Sequence, residues 1–209
     1  MESRFANWPL TSLSGVLVIL LYCGFTFTSW AFYPDQFGPT THYLSRLGNF
    51  NYSPFVAYFY NLGCIVTGLV LFPFFIGLYE WYTDRLYQKV PLFAGQVIGI
   101  LSAIALIMIG VFSEDQGRPH MTASSTFFLL NFFVLIIVNA ALLLHPKFTK
   151  LIALYAFAID ILSLSFELTI GGPITEWFTV FGALLYVAFI SFNTLQLRRR
   201  PAGPNAQTS

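Results

Sequence analysis

Residues 92–112 read LFAGQVIGILSAIALIMIGVF, a run with no charged side chain. At about 1.5 Å per helical residue the run is roughly 30 Å long, the thickness of bilayer hydrocarbon. A strand pattern would alternate and a surface helix would carry one polar face. This segment is apolar all round, which suits a helix surrounded by lipid and other helices. Working outward, five further stretches have the same character, at about 10–33, 56–80, 122–144, 150–170 and 175–195. The expected fold is therefore all-α, a polytopic membrane protein built as a bundle of six transmembrane helices. One domain spans 1–197, and 198–209 forms a short tail, basic at first and then polar and disordered from Pro201 to Ser209.

Composition agrees with this reading. Of 209 residues 56% are hydrophobic, only 9% are charged, and the mean hydropathy is +0.70, too apolar for a soluble domain of this size. A net charge of +1 gives no reason to expect a nucleic-acid partner. Cys23 and Cys64 fall inside spans, where cysteine behaves as a small apolar residue, and no CxxC or Cys/His finger spacing is present. No metal is implied, and no cofactor is identified.

The loop charges orient the bundle. Arg4, Arg85, Lys89, Lys147, Lys150, Arg198, Arg199 and Arg200 lie on one side, and only Arg46 and Arg118 on the other. By the positive-inside rule both termini are expected in the cytoplasm, with the cell membrane as the location. The first outer connection, about 34–55, is the longest. Within it His42–Leu47 is expected to form a turn or two of helix lying on the interface, capped by Thr40 or Thr41 and stopped by Gly48. Asn51-Tyr52-Ser53 is a formal glycosylation sequon, crowded by Pro54 and the membrane. The short turns at His145-Pro146 and Gly171-Gly172-Pro173 make the last three helices sequential antiparallel neighbours.

Polar chemistry gathers on the outer side. Asp35, His42, Arg46, Glu114, Asp115, Arg118, His120, Glu167 and Glu176 all map there, most densely in the turn 110–120. From His120 a stripe continues along the fourth helix through Ser124, Phe127 and Asn131, and on the fifth Asp160, Ser163 and Glu167 share a face. Asn131 and Asp160 reach similar depth. An ionised carboxylate there is costly and no span holds a Lys or Arg to pair with it. Asp160 is therefore expected to be neutral and hydrogen-bonded, with Asn131 as partner, or to line a wet cavity. Glu167 is expected beside Arg118 or His120.

Three readings of this constellation compete. The polar residues hold helices together. Alternatively they bind a lipid headgroup or small polar solute, with Arg46, Arg118 and His42 gripping phosphate above a slot between the stripes. Or Glu114, Asp115, His120, His42 and Glu167 form a metal or acid/base hydrolase site acting on a lipid, although no HExxH or Gly-x-Ser-x-Gly pattern supports one. An accessory role in a larger membrane complex, with other membrane subunits as partners, is also compatible with a small, aromatic-rich chain.

The same residues carry a resemblance. Gly110-Val111-Phe112-x-Glu114-Asp115, then Pro119-His120 and Ala123-Ser124-Ser125, resembles the signature of an uncharacterised family of six-span prokaryotic membrane proteins, a domain of unknown function. Leu44-Ser45-x-Leu47-Gly48 and Asn61-Leu62-Gly63, with Gly68 following, are similar to its first outer loop and second helix. This chain has Phe112-Ser113-Glu114-Asp115 where family members often show Phe-Pro-x-Asp. More remotely the layout is similar to DRAM and GPI-anchor-remodelling proteins. That kinship implies a role toward lipids of the outer leaflet and no catalytic mechanism to transfer. The resemblance singles out Glu114, Asp115 and His120, then Ser45 and Asn61. The full candidate ligand-binding set is Glu114, Asp115, Arg118, His120, Ser124, Asn131, Asp160, Glu167, His42, Ser45, Arg46 and Asn61, facing an outward pocket between the third, fourth and fifth helices with membrane lipid as the expected partner.

Overall fold

Without water in the hydrocarbon, a spanning segment must satisfy its own backbone, and an apolar run does so by becoming a helix. In the computed structural model, which describes residues 8–199, the chain forms α1 (Leu10–Ala31), α2 (Pro54–Gly77), α3 (Leu86–Val111), α4 (Arg118–Leu143), α5 (Lys150–Thr169) and α6 (Pro173–Arg199). All six are long and apolar enough to cross a membrane, and no strand occurs among the described residues. Pro54, Pro119 and Pro173 stand in first turns, where a missing N–H costs nothing. Gly117 precedes α4 at φ 69°, and Gly171 and Gly172 join α5 to α6 at φ 61° and 76°, backbone conformations that favour glycine.

Most helix ends differ from the sequence reading by one to six residues, and two of the shifts matter. α3 starts at Leu86 rather than 92 and carries Pro91 inside it. The lost bond falls one turn from the helix end, close to where solvent replaces it. α6 runs through Arg198 and Arg199, which suit the negative end of the helix dipole, so the basic start of the expected tail is helical. Arg4, Arg200 and the expected disordered tail 201–209 lie outside the described residues.

The helices pack in chain order around a ring, with α6 closing against α1. Because lipid is as apolar as leucine, association depends on close contact, and small residues permit it. A Cβ on Gly77 would lie 2.5 Å from the Thr11 amide of α1, one on Gly68 2.9 Å from the Ala103 carbonyl of α3, and one on Gly110 2.4 Å from the Asn61 carbonyl of α2. α2 is thereby clamped between α1 and α3. α5 is the loosest member: its first half is buried through Ile152, Ala153, Ala156, Ile159 and Asp160, while Leu164, Leu168 and Ile170 of its other end stay exposed.

The connections α1–α2, α3–α4 and α5–α6 lie on one face, the loop-1 face, and the other connections lie with the helix ends Leu10 and Arg199 on the terminal face. On the terminal face α2 tightens into a 3-10 turn, Leu78–Trp81. The side chains around it satisfy its carbonyls: Gln96 donates to Phe75 and Ile76 at 2.9 Å each, and Gln88 to Trp81 at 3.0 Å. The Trp81 indole donates to Thr194 at 2.8 Å, tying α2 to α6.

Gly77→Ala is expected to lower stability by about 1–3 kcal/mol, because backbone rather than a side-chain tip must give way. Gly24→Ala, where a Cβ meets nothing within 4 Å, should leave stability unchanged or slightly higher. Thermal melts of the two variants in the same detergent check this; equal melting would contradict the clamped position of α2.

Candidate functional site

Loop 1 (32–53) contains only a short 3-10 helix, Leu44–Gly48, so most of its amides and carbonyls need partners from elsewhere. Turns within the loop meet some, and the bundle meets others. Glu176 of α6 accepts the Leu44 N–H at 2.9 Å and caps the 3-10 helix, with the Ser45 amide also directed at it. The Trp177 indole donates to the His42 carbonyl, and the Trp30 indole to the Phe37 carbonyl, both at 2.9 Å. Asn61 of α2 donates to the Gly48 carbonyl at 2.9 Å. Leu44 and Leu47 are fully buried beneath these bonds. The expected threonine cap is therefore replaced: Thr41 bonds back to the Gly38 carbonyl, and a carboxylate from α6 does the capping. The helix packs into the bundle end through its leucines rather than lying on the interface.

The α3–α4 turn holds the far end of the loop. Glu114 accepts from the Asn49 side-chain amide and lies 3.8 Å from Arg46, whose guanidinium also donates to the Tyr52 hydroxyl at 2.7 Å and stands 4.6 Å over that ring. Asp115 accepts the Phe50 N–H at 3.3 Å. Burial raises the Asp115 carboxyl, but hydrogen bonds from Ser113, Phe50 and its own amide, with the His120 ring nearby, outweigh it and hold the group below the usual carboxylate range. His120 is buried, and its Nδ1 bonds the Phe112 carbonyl at 2.7 Å, closing the turn from inside.

Taken one by one, the candidate residues divide. Arg46, Asn61, Glu114, Asp115 and His120 are brought together by loop 1 and the α3–α4 turn, each bound to a structural partner. His42 bonds Thr41 and stacks on Phe37, with ring centroids 5.3 Å apart, away from any phosphate-gripping arrangement with Arg46. Ser45 offers its amide rather than its hydroxyl. Ser124 is half-buried on α4 with no hydrogen bond among the described residues. Arg118 is exposed and makes no ion pair or hydrogen bond among the described residues. Glu167 is exposed and likewise makes none, so the expected neighbourhood with Arg118 or His120 does not form: the end of α5 stands out from the bundle. Asp160 is 5% exposed, and its Oδ2 has no partner. The expected bond to Asn131 is absent, and Asp160 lies within electrostatic range of Tyr186 on α6. No group of three or more His, Cys, Asp or Glu is placed to hold a metal among the described residues.

Two hollows remain. A surface groove of about 360 Å³ runs between α3 and α4, walled by Ala105, Met108, Phe112, Thr122 and Thr126 with Arg118 at its loop-1 end. A second cavity of about 80 Å³ lies inside the ring, lined by α1, α2, α3, α4 and α6 and by no residue of α5. Sequence reasoning passed over Glu176 and Trp177 as fasteners of loop 1. The available signal was a carboxylate with no cation beside it, followed by a tryptophan, in the first turn of a span. It also passed over Thr67, Ser102, Thr179 and Tyr186 in the inner cavity, where the signal was a lone polar residue within a span.

The model of the family described as Protein of unknown function (DUF998) matches residues 16–203, and the chain belongs to that family. No curated protein and no solved structure matches it.

The Asp115 geometry sets a pH dependence. A carboxyl whose folded pKa is lowered adds stability that is complete above its unfolded pKa of about 3.9 and is lost as pH falls through the folded value. Protease cutting within loop 1 should therefore be slow at pH 7 and accelerate below about pH 4. Asp115→Asn should start faster at pH 7 and change less with acid. Identical profiles for the two proteins would contradict the role given to this carboxylate.

Proposed function

We propose that this member of the DUF998 family is a lipid-binding integral membrane protein, which holds an anionic headgroup at Arg118 and an acyl chain in the α3–α4 groove beneath it. The observation that carries the reading is the pairing of an unengaged guanidinium with an apolar groove. Of the two cations on the loop-1 face, Arg46 is occupied by Glu114 and Tyr52, and Arg118 alone stands over a hollow. Guanidinium donors match phosphate oxygens in a two-pronged geometry, and the groove walls match a hydrocarbon chain. In this proposal the loop-1 face is exofacial and the basic terminal face cytoplasmic, following the distribution of Lys and Arg. The remote likeness to DRAM and GPI-anchor-remodelling proteins supports a lipid-directed role on the same side. Glu114, Asp115 and His120 then act by fastening loop 1 and the α3–α4 turn, which fixes the start of α4 and with it Arg118.

Lipid mass spectrometry on the detergent-purified protein tests this. Arg118→Gln should reduce co-purified anionic phospholipid about tenfold, the size of effect of one charge-assisted phosphate contact. Arg46→Gln, which removes a cation already paired, should leave it near the wild-type level. An unchanged lipid profile in Arg118→Gln, with the protein still monodisperse, would defeat the reading.

A further inference from the structure

The inner cavity has a chemistry different from the groove. Most of its wall is aliphatic or aromatic, yet Thr67 of α2, Ser102 of α3, Asn131 of α4, and Thr179 and Tyr186 of α6 all face it. None of these five side chains makes a hydrogen bond among the described residues. Thr67 is 1% exposed and Tyr186 5%, and both hydroxyls are buried without a partner. Buried polar groups in folded proteins are nearly always paired, so several unpaired around one space point to a missing partner there. Thr67, Asn131 and Tyr186 each stand near the middle of their helices, which places the space near the bilayer centre.

The lining restricts what that partner is. No charged residue contributes to it, so an ion or a zwitterionic headgroup would be left uncompensated in hydrocarbon. Hydroxyl and amide groups both donate and accept, which suits a neutral oxygen function. About 80 Å³ is room for roughly five to eight waters, or for a short oxygen-bearing segment of a longer chain. The route in is lateral: α4 and α6 both line the cavity without packing closely on one another, and α5, which stands between them in the ring, lines none of it and leaves Leu164, Leu168 and Ile170 exposed at its loop-1 end. None of the loop-1 fasteners belongs to its wall.

We infer that the cavity between α2 and α6 is a second site, distinct from the Arg118 groove, for an uncharged membrane lipid that bears a hydroxyl or carbonyl group. Thr67 and Tyr186 hold the oxygen, Ser102, Asn131 and Thr179 flank it, and the chain leaves between α4 and α6, past the exposed loop-1 end of α5, into the bilayer.

The test uses wild-type protein in phosphatidylcholine vesicles containing a diazirine-bearing monoacylglycerol, photolysed and mapped by peptide mass spectrometry, together with solvent extraction of the purified protein for neutral lipids. Label is expected on the lining segments of α4 and α6, displaced by excess unlabelled monoacylglycerol. The double variant Thr67→Val, Tyr186→Phe, which keeps the shape and removes both hydroxyls, should lower that label about tenfold. Ala183→Phe, which fills the space, should abolish it, and Arg118→Gln should leave it unchanged. Label confined to the lipid-facing exterior and not displaceable, or no neutral lipid in the extract together with no label, would overturn the inference. Should the variants aggregate, the wild-type map and its displacement still decide. Loss of label in Arg118→Gln as well would merge the two sites and overturn their separation.

Discussion

A segment without regular structure can rest on the end of a membrane bundle only where its amides and carbonyls are met by fixed partners. In this protein that constraint is satisfied at the centre of the loop by the Glu176 carboxylate, which α6 presents to the first amide of the Leu44–Gly48 turn. A carboxylate accepting backbone N–H groups at a helix start gains from both the hydrogen bonds and the turn's dipole, and it needs no cation. Trp177, Trp30 and Asn61 complete the attachment from α6, α1 and α2. Loop 1 is in this sense the part that joins the first and last helices of the ring at one face, much as Trp81 and Thr194 join α2 and α6 at the other.

The attachment decides what the polar residues of that face are free to do. Glu114 and Asp115 are turned toward Asn49, Arg46 and the Phe50 amide, and His120 toward the Phe112 carbonyl. Each thereby helps to hold the loop or the turn. What the fastening leaves over is a guanidinium at Arg118 and a groove below it, and deeper inside a cavity whose polar atoms have no partner in the protein. One lies on the outside of the bundle and the other inside its ring. Their division between a charged rim and an uncharged interior follows the depth in the membrane at which each lies.

Much of this was legible in the chain. Six uncharged or nearly uncharged runs dictate six helices, because length and hydropathy act locally and every residue of the run contributes. The candidate cluster around 110–120 was legible as a cluster, since Glu114, Asp115 and His120 are neighbours in sequence. Its role was not, because Asn49, Phe50 and Gly48, which engage or surround it, become neighbours only after loop 1 folds back. Asp160 shows the same limit. Its burial follows from its place in an apolar run, but the rotation of α5 about its axis decides whether it meets α4 or α6, and helix periodicity alone leaves that rotation open. The polar lining of the inner cavity was hidden for a third reason: single Thr, Ser and Tyr residues in a span are ordinary, and only their convergence from three helices gives them meaning.

Hydrogen–deuterium exchange of the purified protein in detergent, resolved to peptides covering 38–53, tests the fastening of loop 1 most directly. Amides at Leu44, Asn49 and Phe50, bonded to Glu176, Arg46 and Asp115, are expected to exchange orders of magnitude more slowly than an open loop, and to speed up in Glu176→Ala. Exchange of this segment at the rate of an unstructured chain in the wild-type protein would contradict the picture of a loop held down on the bundle.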